Sequence, residues 1–248
     1  MEVNMKAWGK TDTGLVRTEN QDAFFIDLLY EEGIALCVVC DGMGGAKAGG
    51  VASALAAEMF VDGVKERLKL NMSPKYIASI AEEAVKKANA DIYEKSLSDS
   101  AFSGMGTTLV SVICDGSEAV ILNIGDSRAY AIDQDGISRI TRDHSVVEDL
   151  LIMGDLTREE ARSHPRKNLI TRALGTESTI QCDIFNRQVK KGDYILLCSD
   201  GLSNLVEEQE ILYEVLHGGE KEQACDRLID IANSRGGNDN ITVVLLEI

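Results

Sequence analysis

Proline is almost missing from this chain of 248 residues: only Pro74 and Pro165 occur. No Pro-rich or Ser/Gly-rich stretch is available as a linker, and there is no fixed-period repeat or low-complexity tract. The chain is therefore expected to form a single domain over residues 1–248. Long apolar runs are missing too. The longest, residues 34–40 and 241–246, fall far short of the roughly 20 residues that a spanning helix needs. The opening Met1-Glu-Val-Asn-Met-Lys6 has no apolar signal-peptide core. These absences point to a cytoplasmic protein that does not engage a membrane. Positive charge is scarce: 25 Lys and Arg stand against 41 Asp and Glu, a net charge of −16. A polyanion of that size is repelled by nucleic acid and by anionic lipid surfaces. Cys37-Val-Val-Cys40 lacks the second CxxC pair that would complete a zinc site. It and the other four cysteines, Cys114, Cys182, Cys198 and Cys225, read as small core hydrophobes.

What is present is enough for a substantial core, since 44% of the residues are hydrophobic. Helical spacing of apolar residues predicts helices over 47–68, 74–97 and 220–234, the second with Ser73 as cap and Pro74 in its first turn. Strands are predicted over 5–10, 22–28, 34–40, 107–114, 119–124, 129–133, 194–199 and 241–247. Residues 136–140 continue a meander after a tight Asp135-Gly136 turn. Many of these strands are apolar at nearly every position, which implies cover on both faces. The order is strands, two helices, strands, then a last helix and strand. This is an α+β arrangement with helices outside packed sheets rather than regular βαβ alternation.

Four apolar strands carry an aspartate at one end: Asp41-Gly42 after 36–40, Asp126-Ser127 after 120–125, Asp200-Gly201 after 194–199, and Asp239-Asn240 before 241–246. Any one of these is an ordinary turn pair. If the four ends converge, the carboxylates raise one another's pKa, and a divalent cation relieves the repulsion. Oxygen-only donors select Mg²⁺, Mn²⁺ or Ca²⁺ over zinc. Asp41-Gly-Met-Gly-Gly45 runs directly into a helix, so its glycines let backbone approach a ligand and the helix start favours an anion. Upstream, Arg17 in Arg17-Thr-Glu-Asn-Gln-Asp22 has the chemistry for bidentate contact with phosphate, although an arginine alone is equally suited to a surface ion pair.

Taken together, Arg17-Thr-Glu-Asn-Gln-Asp22, Asp41-Gly-Met-Gly-Gly45, Gly104-Met-Gly-Thr-Thr108, Asn123-Ile-Gly-Asp-Ser-Arg128, Thr141-Arg-Asp-His-Ser145, Cys198-Ser-Asp-Gly-Leu202 and Gly237-Asn-Asp-Asn-Ile-Thr242 resemble the PPM-type (type 2C) metal-dependent protein serine/threonine phosphatases in their bacterial form. The segments follow the family's order and span almost the whole chain. The resemblance implies a four-layer αββα sandwich, two central antiparallel sheets flanked by helices, with a binuclear Mn²⁺ or Mg²⁺ site at one end. It implies that Asp41 bridges the two ions, that Asp200 and Asp239 complete the first, and that the Gly42 carbonyl binds the second. Asp22 would contact metal-bound water, Asp126 would join Asp200 at a weaker third ion, and Arg17 would bind the phosphoryl group. Catalysis would proceed by direct attack of a metal-bridging water on phosphoserine or phosphothreonine, with Arg17, Asp22 and Asp41 as the catalytic set. The implied partners are phosphorylated proteins and an opposing serine/threonine kinase, and the expected state is a monomer.

The chain departs from the family pattern in two places. Met43 stands where many eukaryotic members have a histidine proposed as general acid, and Asn204 stands where they often have a third-metal aspartate. His144 and His164 are the nearest alternative acids by sequence context, with structural or flap roles favoured for both. Residues 144–172 resemble the mobile flap of bacterial members, in which Arg162, Arg166 and Lys167 would either meet an acidic phosphopeptide or belong to an ordinary surface excursion. Two other functions compete. A two-metal nuclease or phosphodiesterase is opposed by the acidic surface. A non-catalytic phosphoprotein-binding regulatory module is opposed by the presence of Asp41, Asp200 and Asp239.

Overall fold

The computed structural model describes residues 5–29, 33–45, 48–69 and 71–248. In chain order the elements are β1 (Lys6–Asp12), β2 (Asp22–Leu29), β3 (Ile34–Met43), α1 (Ala48–Lys65), α2 (Pro74–Ser98), β4 (Gly106–Thr107), β5 (Leu109–Cys114), β6 (Glu118–Ile124), β7 (Arg128–Asp133), β8 (Gly136–Arg139), α3 (Val146–Met153), α4 (Arg158–Ser163), β9 (Asp183–Gln188), β10 (Tyr194–Cys198), α5 (Asp200–Ser203), α6 (Glu208–Leu216), α7 (Ala224–Ser234) and β11 (Ile241–Glu247). The predicted helix start at Lys47 lies outside the described residues. Ser73 occupies the N-cap of α2 with Pro74 beside it, but its side chain makes no capping hydrogen bond.

The strands form two antiparallel sheets, ordered β1-β11-β10-β7-β8 and β2-β3-β5-β6-β9, with β4 beside β3. Apolar side chains form three layers. Ala35, Cys37 and Val39 of β3 meet Ile195, Leu197, Val244 and Leu246 of the other sheet in the centre. The alternate residues of β3, Leu36, Val38 and Cys40, face α1 and α2 through Ala52, Phe60 and Ile80. On the opposite outer side, Leu196, Cys198, Val243 and Leu245 pack against Ile211 and Val215 of α6 and Leu228 and Ala232 of α7. This four-layer αββα stack explains the continuous apolar reading of β3, β10 and β11, since both faces of each strand are covered.

Cys37 and Cys40 lie three residues apart on one strand and so point into different layers. They cannot share a metal or a disulfide. All six cysteines are free, and burial raises the thiols of Cys114, Cys198 and Cys225 to about 12. No helix among the described residues is long and apolar enough to cross a membrane.

Candidate active site

Strand register gathers the aspartates. Asp22 opens β2 and pairs directly with Asp41 near the end of β3. Leu109 at the start of β5 pairs with Ile124 at the end of β6. In the other sheet, Cys198 at the end of β10 pairs with Arg128 at the start of β7 and with Val243 near the start of β11. Each aspartate therefore falls at the same end of the sandwich. A cavity of about 530 Å³ opens there, lined by Arg17, Asp41, Gly42, Asp126, Asp200 and Asp239, along with Met43, Thr108, Asn168, Ile170 and Asn240. Asp22 is not part of this lining. It lies beneath, where its Oδ2 accepts hydrogen bonds from Ser199 Oγ at 2.8 Å and Thr242 Oγ1 at 2.6 Å.

The electrostatics follow from burial and crowding. Burial, reinforced by Asp22 and Asp200, pushes Asp41 well above the carboxylate range. Burial also lifts Asp22 to about 7, Asp126 to about 8 and Asp200 to about 6; Asp200 adds to the shift of the first two, and Asp239 to that of the third. Among the described residues, the only arginine or lysine in the lining is Arg17, whose Nη2 donates to Asp239 Oδ2 at 2.8 Å.

The main chain at Asp41 is tightly specified. Its N–H donates to Thr108 Oγ1 at 2.9 Å, and its carbonyl accepts from the Thr107 hydroxyl and the Thr108 N–H. Thr108 Oγ1 in turn lies 2.7 Å from Ser127 Oγ, beside Asp126. A buried hydroxyl pair thus joins the β3 end to the β7 start. At Gly42 any side chain would collide with the carbonyls of Gly49 and Gln21, so only glycine brings the chain this close to α1.

The donor set suits hard divalent cations. Asp22 Oδ1 and Asp200 Oδ1 are buried with no hydrogen-bond partner, and every charged donor in the lining is a carboxylate oxygen. Among the described residues, no three carboxylate, imidazole or thiol side chains form a closed ligand set by themselves. The fit is to hydrated ions that take one or two carboxylates each and complete their shells with backbone carbonyl and water.

Neither candidate histidine lines the cavity. His144 is buried, its Nδ1 accepts from the Gly125 N–H at 3.1 Å, and its Nε2 lies 3.2 Å from Asp183 Oδ2. Burial lowers its pKa. His164 Nδ1 accepts from the Arg166 N–H. Asn204 is bonded through Nδ2 to Asp200 Oδ2 at 3.1 Å, so it orients that carboxylate. The 144–172 excursion is pinned at its base, where Val146 N–H donates to the Leu169 carbonyl and Thr171 N–H to the His144 carbonyl. It contributes Asn168 and Ile170 to the cavity. The Arg162 side chain lies outside what is described.

Sequence reasoning missed Asn168, Ile170 and Asn240 as lining residues. It also gave no role to Thr108, although Thr108 lies within one of the motifs it singled out. Nothing in the spacing marks Asn168 or Ile170, because an irregular segment brings them in.

A sequence profile of the Protein phosphatase 2C family matches residues 16–240. The chain is 39% identical over 244 residues to the serine/threonine phosphatase stp of Listeria innocua, covering 98% of this chain and 96% of that one. It is 37% identical over 238 residues to the protein phosphatase PhpP of Streptococcus pneumoniae, covering 95% and 94%. Among solved structures, it superposes on the serine/threonine phosphatase Stp1 of Staphylococcus aureus with a TM-score of 0.89 and 35% identity, covering 100% of this chain and 96% of that one. The catalytic domain of the phosphatase PstP, solved in complex with two manganese ions, gives a TM-score of 0.85 at 32% identity, covering 98% and 97%.

Proposed function

From the premise that this chain belongs to the Protein phosphatase 2C family, we infer that it is a metal-dependent protein serine/threonine phosphatase acting on phosphorylated proteins. The observation that carries the site assignment is the single cavity lined by Asp41, Asp126, Asp200 and Asp239 together with Arg17. Two divalent ions, Mn²⁺ or Mg²⁺, would be held by Asp41, Asp200, Asp239 and the Gly42 carbonyl, with Asp126 available to a weaker third. The two manganese ions of the PstP structure support that number. When bound, such ions lower the pKa of water and offset charge on a phosphoryl group.

The protein's own residues supply the rest. Arg17, exposed at the cavity edge, offers guanidinium donors to the phosphoryl oxygens and holds the phosphorus in place for in-line displacement. Asp41 keeps its position because Thr107 and Thr108 hold its peptide on both sides. Asp22 braces the floor through Ser199 and Thr242, with Oδ1 left to accept from a water above. Cys40 and Cys198, neighbours of the site in sequence, are fully buried with raised thiol pKa and do not serve as nucleophiles. Residues 1–248 are read as one phosphatase domain, with 144–172 as a flap that places Asn168 and Ile170 against substrate. A cytoplasmic monomer opposing a serine/threonine kinase completes the proposal.

The test is hydrolysis of p-nitrophenyl phosphate and of a phosphothreonine peptide across Mn²⁺, Mg²⁺ and chelator. Activity that requires the metal, and that falls more than about 100-fold in Asp41→Asn and Asp239→Asn with loss of Mn²⁺ binding, is the expected result. Full turnover in chelator, or unchanged turnover in Asp41→Asn, would overturn it.

A further inference from the structure

The segment carrying Arg17, residues 13–21, links β1 to β2 without helix or strand of its own. Its apolar side chains do not anchor it at the centre: Leu15 is 68% exposed and Val16 63%. At its ends the main chain is held by Asp12 Oδ1, which accepts from the Gly14 N–H at 2.8 Å, and by Ser53 Oγ, which donates to the Gln21 carbonyl at 2.6 Å, but one buried side chain from the far end of the sequence holds it on both flanks of Arg17. Asn240 Oδ1 accepts from the Gln21 N–H at 2.8 Å, while Asn240 Nδ2 donates to the carbonyls of Thr13 and Glu19, both at 3.0 Å. These partners settle the amide orientation, because the oxygen faces a donor and the nitrogen faces two acceptors. The three bonds grip the loop on both sides of Arg17. A further bond from the Leu15 N–H to the Gly237 carbonyl, 2.8 Å, ties the loop tip to the same stretch of chain. Gly14 completes the fit. It has φ +76°, and a side chain there would strike the Asp239 carbonyl.

Asn240 also connects directly to the ion pair that Arg17 makes. Its own N–H donates to Asp239 Oδ1 at 2.9 Å, and Arg17 occupies Asp239 Oδ2. One residue thereby sets both the loop that presents the guanidinium and the carboxylate beside which it rests.

We propose that Asn240 is a positioning residue for phosphate recognition: its carboxamide clamps the 13–21 loop so that Arg17 is placed before substrate arrives. The proposal rests on the reading of Arg17 as the phosphate-binding cation. A loop ordered in advance loses less conformational entropy on binding, so the clamp acts on affinity more than on the chemical step. No other side chain hydrogen-bonds the loop main chain on both sides of Arg17 among the described contacts, and a carboxamide is the group that provides one acceptor and two donors from a single point.

The experiment compares Arg17→Ala, Asn240→Ala and the double variant, with p-nitrophenyl phosphate at saturating Mn²⁺, and adds amide hydrogen exchange on the chelated proteins. Asn240→Ala is expected to raise KM on the order of ten-fold, with kcat changed less than about three-fold. The double variant is expected to show the KM of Arg17→Ala alone, since a clamp has nothing to position once the guanidinium is gone. Exchange should quicken over 14–18 and stay slow in β10 and β11. A KM penalty that multiplies in the double variant, an undisturbed 13–21 loop, or a loss confined to kcat overturns the clamp and leaves the role of Arg17 intact. An unchanged KM in Arg17→Ala removes that role and the inference with it. If Asn240→Ala does not accumulate folded, Asn240→Asp keeps the acceptor toward Gln21 and sets a carboxylate against two carbonyls, and the same comparisons apply.

Discussion

Thr242 Oγ1 donates to Asp22 Oδ2 at 2.6 Å across the interface between the two sheets. Asp22 belongs to β2 and Thr242 to β11, and Ser199 at the end of β10 donates to the same oxygen. A carboxylate that the motif pattern places beside metal-bound water is thus also a brace holding two sheets together under the cavity.

Replacing Thr242 by valine keeps the shape and removes that donor. A buried carboxylate left short of a partner costs about 1–3 kcal/mol. Because burial lifts Asp22 to about 7, the carboxylate is protonated well below that pH and makes less demand on its donors. The destabilisation of Thr242→Val, read from urea unfolding of chelated protein, is expected to be larger at pH 9 than at pH 5. Equal penalties at both would contradict the brace.

Arg17 competes for Asp239 with any cation that uses Oδ2. The pair is half exposed on the arginine side, so its worth is at most about 1 kcal/mol. Arg17→Ala is expected to bind Mn²⁺ more tightly, by up to about five-fold in calorimetry, while its KM for phosphorylated substrate rises. Weaker Mn²⁺ binding in this variant would show that the arginine supports the metal site.

The carboxylate cluster makes the metal-stripped protein sensitive to pH in a defined direction. Asp200, Asp22 and Asp126 keep their protons up to about 6, 7 and 8, whereas the same residues in the unfolded chain lose them near 3.8. The folded state binds more protons across that window, so its stability falls as pH rises from about 4 to about 8 and then levels off. Asp41, also raised, acts in the same direction, and His144, with its lowered pKa, works in the opposite sense, but as one group against four. Thermal scans in chelator should show Tm falling from pH 5 to pH 8, with Mn²⁺ restoring it most strongly at pH 8. A rising Tm over that range would show that the cluster is not under strain.

A second charge network lies beside Asp126. Asp143, 6% exposed, receives Arg128 Nη2 at 2.7 Å and both Nε contacts at 3.1 and 3.2 Å, with Arg139 at 3.4 Å. Asp143→Ala would leave the Arg128 guanidinium without its counter-charge, a change worth about 3–5 kcal/mol in a buried pair. Chemical denaturation measures this directly, and a loss under 1 kcal/mol would mean that Arg128 finds another partner.

Long, strongly patterned elements were legible in the chain. α1 and α2 show helical spacing over many turns, and β3, β10 and β11 are apolar on both faces because a layer covers each face. β9 escaped notice because it lies at a sheet edge, where Asp183, Asn186, Arg187 and Gln188 interrupt the apolar signal. The stretch before His217 reads as helix-like, but the bounds of α6 were not legible, because it is short and opens with a Glu207–Glu210 capping box rather than a serine or threonine cap.

The chain alone determined which of its apolar segments become strands and that Asp41, Asp126, Asp200 and Asp239 stand at or near their ends, since both follow from local side-chain pattern. Whether those ends meet was decided only by the antiparallel registers and the stacking of the two sheets. The same holds for Asn240 reaching back to residues 13–21 and for Asp22 lying under the cavity floor. The physical reason is that strand pairing joins residues as far apart as Lys6 and Glu247, and sheet stacking brings Asp22 to Thr242, so a contact between distant segments depends on the packing of the whole sandwich and not on any short stretch of sequence.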